Sequence, residues 1–290
     1  MWRSLLFMPV LEERFLAKAA ERGADAIVLD LEASIAAARK DEARAALAPA
    51  VERLHAAGQD VLVRINMPWR PALKDLEYAV RPGVAALALP GCASAAQVVA
   101  VDACIGELEA ERNLPHGGIR LVPLIESARG VRDADGILRA SDRIAAVGFG
   151  IEDYLADMAA RPSIELQTMT GLAVAEAARA AGVVPLIVPE TLGNLEDLDA
   201  FEAAAERGRR MGSEGGFGAH PGQVERLNRV FTPSGEEVAA AERIVAAARE
   251  AERAGLGVVR LGDGFIDGPI IVRAERLLDR ARRYRKPPPA

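Results

Sequence analysis

The stretch Arg3-Ser-Leu-Leu-Phe-Met-Pro-Val-Leu-Glu-Glu13 decides the fold class of this chain. Residues 3–8 form a mostly apolar run without polar alternation, which is typical of a strand buried on both faces of a parallel sheet. A doubly wound dinucleotide-binding sheet would continue from its first strand into a Gly-x-Gly-x-x-Gly turn that cradles a pyrophosphate. The residues that follow this strand contain no glycine. The opening stretch therefore predicts a parallel α/β protein of another kind.

Six further apolar runs of similar length follow, at residues 25–31, 60–65, 84–89, 119–125, 143–149 and 183–188. Alanine-rich, charged segments such as residues 41–57 and 171–181 separate these runs and favour helix. Repeated strand–helix units form either an open doubly wound sheet or a closed barrel. Because the first turn argues against the dinucleotide fold, we predict a (β/α)8 TIM barrel of the α/β class. Its eighth strand is weak and is expected near residues 215–220.

The end of the chain has a different pattern. We predict a barrel domain over residues 1–232 and a C-terminal helical and hairpin extension over residues 233–290. The expected elements of the extension are a helix from the capping box Ser234-Gly-Glu-Glu237 to about Arg253, a strand over residues 257–261, a turn over 262–264 and a helix over about 269–283. A closed barrel has no free sheet edge to accept another strand. We therefore expect the extension to pack on a neighbouring subunit, with folding back onto its own barrel as the alternative.

Charge and cysteine content restrict the class of protein. The 290 residues include 36 Lys and Arg against 42 Asp and Glu, a formal net charge of −6. A mildly acidic chain is a poor candidate for binding nucleic acid or an anionic membrane. Its two cysteines, Cys92 and Cys104, form neither a disulfide framework nor a zinc-ligand pattern. We expect a soluble cytoplasmic enzyme.

Two acids stand directly behind neighbouring predicted strands. Glu126 follows the run at 119–125, and Asp153 follows the run at 143–149. In a (β/α)8 barrel the chemistry gathers at the C-terminal ends of the strands, and a buried acid there is costly unless it is paired or binds a metal. Carboxylate oxygens without a nearby His or Cys suit Mg²⁺. The alternative is that both acids merely cap the helices that follow.

Three other positions each allow a functional and a structural interpretation. Arg64, at the end of the third strand, can bind a substrate carboxylate through two hydrogen bonds or pair with an acid such as Glu32. His220, followed by Pro221, can contribute to substrate binding or simply form a turn. Asp267 can act in catalysis or cap the final helix.

Eight stretches of the chain, in the same order, are similar to the superfamily of citrate lyase beta subunits, malyl-CoA lyases and bivalent-metal-dependent aldolases. They are Arg3-Ser-Leu-Leu-Phe-Met-Pro9, Ala24-Asp-Ala-Ile-Val-Leu-Asp-Leu-Glu32, Val63-Arg-Ile-Asn66, Leu124-Ile-Glu-Ser-Ala-Arg-Gly130, Gly148-Phe-Gly-Ile-Glu-Asp153, His220-Pro-Gly-Gln223, Phe231-Thr-Pro-Ser-Gly-Glu-Glu237 and Asp263-Gly-Phe-Ile-Asp-Gly-Pro269. The resemblance spans nearly the whole chain.

The resemblance implies roles for several of these residues. It makes Glu126 and Asp153 the ligands of Mg²⁺ and Arg64 the residue that holds the substrate carboxylate. Arg14 and Lys18, four residues apart on the expected first helix, fall where CoA-using members place basic residues for the CoA phosphates.

The resemblance also concerns assembly. It implies that Asp267 reaches the active site of a neighbouring subunit, in a homotrimer or a homohexamer.

Five sites, one of them a pair of residues, depart from the family pattern. Ala33 and Glu190 stand where Asp is usual, Gly91 and Gly216 where Lys is usual, and Met169-Thr170 where an Ala-Arg pair is common. Since Arg64 and the metal acids are kept, these departures bear on recognition of the acyl-carrier half of the substrate.

We therefore predict a Mg²⁺-dependent carbon–carbon lyase. Its substrate is expected to be a 3-hydroxyacyl thioester similar to malyl-CoA or citramalyl-CoA, cleaved to an oxo acid and an acyl thioester. The missing lysines favour an alternative, a metal-dependent aldolase or lyase that acts on free oxo acids without CoA. A third possibility is a non-catalytic barrel that binds an oxo acid.

Overall fold

A computed structural model describes residues 2–193, 195–253, 259–261 and 264–284. The described residues divide into two compact units, one up to residue 230 and the other from residue 231 onward. The first unit is a (β/α)8 barrel, so the predicted fold class is confirmed. In the described part of the chain, no helix is long and apolar enough to cross a membrane.

The barrel wall consists of eight parallel strands in chain order, with β8 hydrogen-bonded to β1. The strands are β1 (Ser4–Pro9), β2 (Ala26–Asp30), β3 (Asp60–Arg64), β4 (Val84–Leu89), β5 (Arg120–Ile125), β6 (Ala146–Phe149), β7 (Val184–Leu186) and β8 (Gly216–Gly218). Between β7 and β8 the backbone N–H of Glu214 donates to Pro185 at 2.9 Å, and Ser213 Oγ accepts from the N–H of Ile187 at 2.7 Å. These two bonds complete the wall where a strand ladder is missing.

Helices connect the strands and cover the outside of the barrel. They are α1 (Glu13–Leu16), α2 (Lys40–Ala56), α3 (Trp69–Ala79), α4 (Ala95–Glu111), α5 (Ala128–Arg132), α6 (Ala134–Leu138), α7 (Ile151–Asp157), α8 (Ile164–Ala180), α9 (Leu198–Arg210) and α10 (Pro221–Phe231). The expectation of a first helix bearing both Arg14 and Lys18 is wrong. Because α1 ends at Leu16 and the chain passes into a 3-10 turn over Ala20–Arg22, Lys18 lies beyond the helix.

Side chains fill the inside of the barrel, so it is a packed core. The inner cluster combines small and aliphatic residues from alternate strand positions, among them Val28, Leu62, Ala88 and Val122. A second, larger cluster lies between the strands and the helices. Fully burying one such aliphatic side chain stabilises the fold by about 1.5–3 kcal/mol. Substrate-sized space is therefore expected only at the mouth, where the strands end.

The second unit is a helical hairpin with a short two-stranded sheet. Its elements are α11 (Gly235–Arg253), β9 (Val259–Leu261), the antiparallel β10 (Gly264–Ile266) and α12 (Gly268–Tyr284). The predicted capping box is confirmed: the N–H of Ser234 donates to Glu237 Oε2 at 2.8 Å, and the N–H of Glu237 donates to Ser234 Oγ at 3.1 Å. The start of the predicted strand, residues 257–258, and most of the predicted turn, residues 262–263, lie outside the described residues.

Candidate active site

An arginine–carboxylate pair occupies the ends of two adjacent strands. Asp30 of β2 and Arg64 of β3 stand opposite each other in the strand register. Arg64 Nε and Nη2 each lie 2.8 Å from one oxygen of Asp30, and Nη1 lies 3.2 Å from Glu32 Oε2. Burial alone would raise the pKa of Asp30. Hydrogen bonds and charge from Arg64, with backbone N–H groups of Ser34 and Glu32, outweigh burial and lower that pKa.

The structure contains the ion pair between Arg64 and Glu32 and adds a second partner to it. Arg64 makes its two parallel hydrogen bonds with Asp30 and not with Glu32. The edge formed by Nε and Nη2 is therefore already in use, and a substrate carboxylate has only the remaining N–H groups of Nη1 and Nη2. The guanidinium also lies over the ring of Phe7, 4.5 Å from its centroid, and Phe7 stacks on Phe217. Arg64 is thus held rigidly.

Glu126 directly follows β5, and the pKa of its carboxyl group is strongly shifted. Its Oε2 accepts a hydrogen bond of 2.6 Å from the N–H of Gly91, which has a left-handed φ of 58°. Burial, followed by the negative charges of Asp153 and Glu32, raises the pKa of Glu126 to about 7, although the Gly91 N–H and Arg64 oppose the rise. The protein thus leaves this carboxylate short of positive charge.

Glycine makes room for this carboxylate. A Cβ atom on Gly150 would lie 2.6 Å from Glu126 Cγ and 2.9 Å from its Oε1. Glu126 does not cap helix α5, because Ser127 does so by accepting from the N–H of Gly130 at 3.1 Å. Asp153 is exposed in the first turn of α7, where the helix dipole also favours an acid. The capping alternative is thus excluded for Glu126 but remains compatible with Asp153.

These residues surround one cavity of about 200 Å³ at the mouth of the barrel. Water occupies about 30 Å³ per molecule, so the space suits a small acid together with a hydrated ion. The charged side chains lining it are Arg64, Glu126, Glu152, Asp153 and Glu190. Glu126 and Asp153 offer hard carboxylate oxygens and could hold a divalent cation such as Mg²⁺, which would relieve their mutual repulsion. In the described residues no cluster of three or more His, Cys, Asp or Glu forms a metal site, so water or substrate would complete the coordination.

Other predicted site residues do not line this cavity. Arg14 is exposed, pairs with Glu12 at 3.3 Å and stacks on Phe15, and Lys18 is exposed nearby in the chain. His220 Nδ1 accepts from the N–H of Gly222 at 3.1 Å. Pro221 begins α10. Neither His220 nor Pro221 lines the cavity. His220 directly precedes α10 and Pro221 is its first residue, so the expected turn is the start of this helix.

Asp267 belongs to the second unit. It is exposed and precedes α12, where its backbone oxygen accepts from the N–H groups of Ile270 and Ile271, each at 3.1 Å. Its Oδ1 also lies 3.4 Å from the N–H of Ile270. Within its own unit Asp267 is a helix cap.

A network of polar side chains near the mouth was not predicted from the sequence. Lys40 Nζ donates to the backbone oxygens of Leu31 and Glu32 at 2.7 and 2.6 Å and to Asn66 Oδ1 at 2.8 Å. Asn66 in turn donates to the buried Asp75 at 2.6 Å. This network fixes the segment that carries Glu32. One feature of the sequence could have indicated this network. Lys40 is one of four lysines in the chain and comes soon after the segment that contains Asp30 and Glu32.

Comparison with known proteins identifies the family. Residues 3–221 match the HpcH/HpaI aldolase/citrate lyase family. The chain belongs to this family. The family contains lyases, so the prediction of a lyase-type enzyme is confirmed at this level. The resemblance noted in the sequence is confirmed as well.

Three similar proteins illustrate the match. Citrate lyase subunit beta of Haemophilus influenzae is 34% identical, with 97% of each chain covered. The (3S)-malyl-CoA thioesterase of Cereibacter sphaeroides is 33% identical, over 97% of this chain and 94% of the relative. The crystal structure of the protein CitE from Mycobacterium tuberculosis, in complex with magnesium, acetoacetate and coenzyme A, superimposes with a TM-score of 0.75 at 27% identity. That match covers 96% of this chain and 97% of CitE.

Proposed function

We propose that this protein is a Mg²⁺-dependent carbon–carbon lyase that cleaves a 3-hydroxyacyl thioester similar to malyl-CoA or citramalyl-CoA. The products would be an oxo acid and an acyl thioester. The observation that carries the proposal is that Glu126, Asp153 and Arg64 line one cavity at the barrel mouth. Burial, followed by the charges of Asp153 and Glu32, raises the pKa of Glu126 there to about 7, which a bound cation would offset. The relation to CitE, described with magnesium, acetoacetate and coenzyme A, supports the same chemistry.

The residues at the mouth would have two separate roles, metal binding and substrate binding. Glu126 and Asp153 would hold Mg²⁺, which supplies Lewis acidity for negative charge that develops on the substrate oxygen during cleavage. Arg64, fixed by Asp30 and Phe7, would bind the substrate carboxylate through its remaining N–H groups. Rigid placement of this arginine orients the bond to be cleaved.

The first test is binding. Calorimetric titration of pyruvate and of acetyl-CoA, each with and without Mg²⁺, separates a thioester lyase from a lyase for free oxo acids. We expect Glu126→Gln or Asp153→Asn to abolish Mg²⁺ binding and with it the Mg²⁺-dependent binding of pyruvate, while circular dichroism stays unchanged. Glu165→Gln, an exposed acid on α8, serves as the control. Wild-type Mg²⁺ affinity in either site variant would show that the metal is placed wrongly.

Arg64→Lys tests the anchoring of the substrate. An ammonium group cannot bind Asp30 through two parallel bonds and still present N–H groups to a substrate. We expect the Mg²⁺-dependent affinity for pyruvate to fall by about 1.5–3 kcal/mol, the range for a charge-assisted hydrogen bond. Mg²⁺ affinity measured without pyruvate should change little. Unchanged pyruvate affinity would restrict Arg64 to its pairing with Asp30.

Hydrolysis of the thioester is a second candidate function. It is favoured by the 33% identity to a (3S)-malyl-CoA thioesterase. Product analysis with malyl-CoA distinguishes the two reactions, because a lyase releases glyoxylate and acetyl-CoA whereas a thioesterase releases malate and free CoA. Free CoA with malate and without glyoxylate would decide for hydrolysis.

We further propose that the chain forms a homotrimer or homohexamer in which Asp267 moves a proton at the acyl carbon in a neighbouring subunit's site. Arg14 and Lys18 would bind the CoA phosphates, consistent with their exposure. Mixing an Asp267→Ala chain with an Arg64→Ala chain should partly restore lyase activity, because some mixed sites hold both intact residues. No recovery after verified subunit exchange would exclude a shared site.

A further inference from the structure

The cavity at the barrel mouth has a charged side and an apolar side. The acids and Arg64 lie on the charged side. The apolar side consists of aromatic and aliphatic side chains, namely Phe7, Leu124, Phe149, Leu186, Val188 and Phe217. A substrate that is held by Arg64 and a cation on Glu126 and Asp153, and that stays within this cavity, places its remaining atoms against one of these two surfaces.

The charged side is already rich in negative charge. Four carboxylates line it, those of Glu126, Glu152, Asp153 and Glu190. Among the described residues that line it, Arg64 is the one basic side chain, and Asp30 and Glu32 already pair with it. A divalent cation would neutralise Glu126 and Asp153 but leave the other two acids uncompensated.

Glu190 is the acid best placed to repel a second substrate carboxylate. It is half-buried in the loop after β7, and its Oε1 accepts a hydrogen bond of 2.9 Å from the N–H of Thr191, which holds the carboxylate in place. No ion pair to Glu190 occurs within the described residues. A dicarboxylic oxo acid would therefore meet either a fixed like charge or apolar rings, and neither replaces the water that its second carboxylate gives up.

We infer that the cavity selects a 2-oxo acid with a single carboxylate and a short apolar substituent, and that Glu190 is the specificity-determining residue against dicarboxylic oxo acids. The carboxylate lies at Arg64, and the substituent packs on the stacked rings of Phe7 and Phe217. This inference rests on the proposed function, because it assumes that an oxo acid binds beside a cation at Glu126 and Asp153. It names the oxo-acid product as pyruvate-like rather than oxaloacetate-like.

The test compares acids that differ in one group. Calorimetry with Mg²⁺ present measures the Kd of 2-oxobutanoate and of freshly dissolved oxaloacetate, which replaces the methyl group by a carboxylate. The comparison is repeated with 2-oxopentanoate and 2-oxoglutarate, a pair that differs in the same way and does not lose CO₂. We expect the monocarboxylic acid of each pair to bind about tenfold more tightly or better, since the extra carboxylate finds no partner. Tighter or equal binding of the dicarboxylic acids would overturn the inference.

Glu190→Gln then assigns the residue. We expect the variant to reduce the preference about threefold or more by improving the Kd of the dicarboxylic acids, because it removes one nearby like charge. Glu196→Gln, an exposed acid of the same loop outside the cavity, is the matched control and should leave the ratio unchanged. An unchanged ratio in Glu190→Gln would refute the role of Glu190. If none of the four oxo acids binds in the presence of Mg²⁺, the proposed function itself is wrong. That result is distinguishable from a failure of the inference, in which the acids bind but without the expected preference.

Discussion

A buried and a half-buried carboxylate in the same barrel have opposite electrostatic surroundings. Glu109, near the end of α4, receives two hydrogen bonds from Arg143 at 2.8 and 2.7 Å. The N–H groups of Gly117 and Ile119 add bonds of 2.9 and 3.0 Å. Burial alone would raise the pKa of Glu109, but Arg143 and these N–H groups outweigh it and lower the pKa. Glu126, by contrast, has its pKa raised to about 7.

The difference separates a structural acid from a functional one. Arg143 comes shortly before β6, at the end of the barrel opposite the mouth, and the protein completes the coordination of Glu109 from its own groups. At the mouth one N–H group and the charge of Arg64 stabilise the Glu126 carboxylate, but burial and two neighbouring acids outweigh them. Carboxylates whose electrostatic balance is left incomplete in a cleft mark functional sites. The incomplete side of Glu126 is where a cation and a substrate would bind.

Removing the structural acid should have the largest effect. We expect Glu109→Ala to lower the free energy of unfolding by about 3 kcal/mol, because it removes the main partner of the buried Arg143 and of two N–H groups. The effect lies at the lower end for a broken buried ion pair, since Asp102 still pairs with Arg143. Urea unfolding followed by circular dichroism measures the change. Glu111→Ala, an exposed acid of the same helix, is the control and should change stability by less than about 0.5 kcal/mol. If the two substitutions changed stability equally, Glu109 would not be a structural acid, and its contrast with Glu126 would be lost.

Removing the charge of Glu126 at the mouth should change the free energy of unfolding in the opposite direction. A carboxyl group whose pKa rises from 4.5 to about 7 on folding costs stability as the pH increases through that range. The cost is absent below pH 4.5 and complete above pH 7. In EDTA at pH 8 we therefore expect Glu126→Gln to raise the free energy of unfolding by roughly 2–3 kcal/mol. The gain should disappear near pH 4.5, and a loss of stability at pH 8 would make Glu126 a structural acid like Glu109.

The strands and the two candidate metal ligands were predictable from the sequence for a physical reason. Strands buried on both faces must be continuously apolar, so runs such as residues 60–65 are visible in the sequence, and the parallel order brings their C-terminal ends together. The pairing of Asp30 with Arg64 was not predictable, because it depends on the register between β2 and β3. The length of the first helix was also not predictable from the sequence, because α1 stops at Leu16 although the residues after it favour helix.

Gly150→Ala is the subtlest way to test the mouth, because it removes no ligand and no charge. The new methyl group would approach Glu126 Cγ to 2.6 Å, and the flexible glutamate side chain can yield to it. Gly150 has a φ of −90°, which alanine adopts without strain, so the fold should be kept. We expect Mg²⁺ affinity to fall about tenfold, equivalent to roughly 1.4 kcal/mol, because Glu126 no longer converges with Asp153. Gly136→Ala, at a helical glycine whose added methyl would meet no described atom within 4 Å, is the control and should bind Mg²⁺ like the wild type. If Gly150→Ala also binds like the wild type, the position of the Glu126 carboxylate does not determine metal binding.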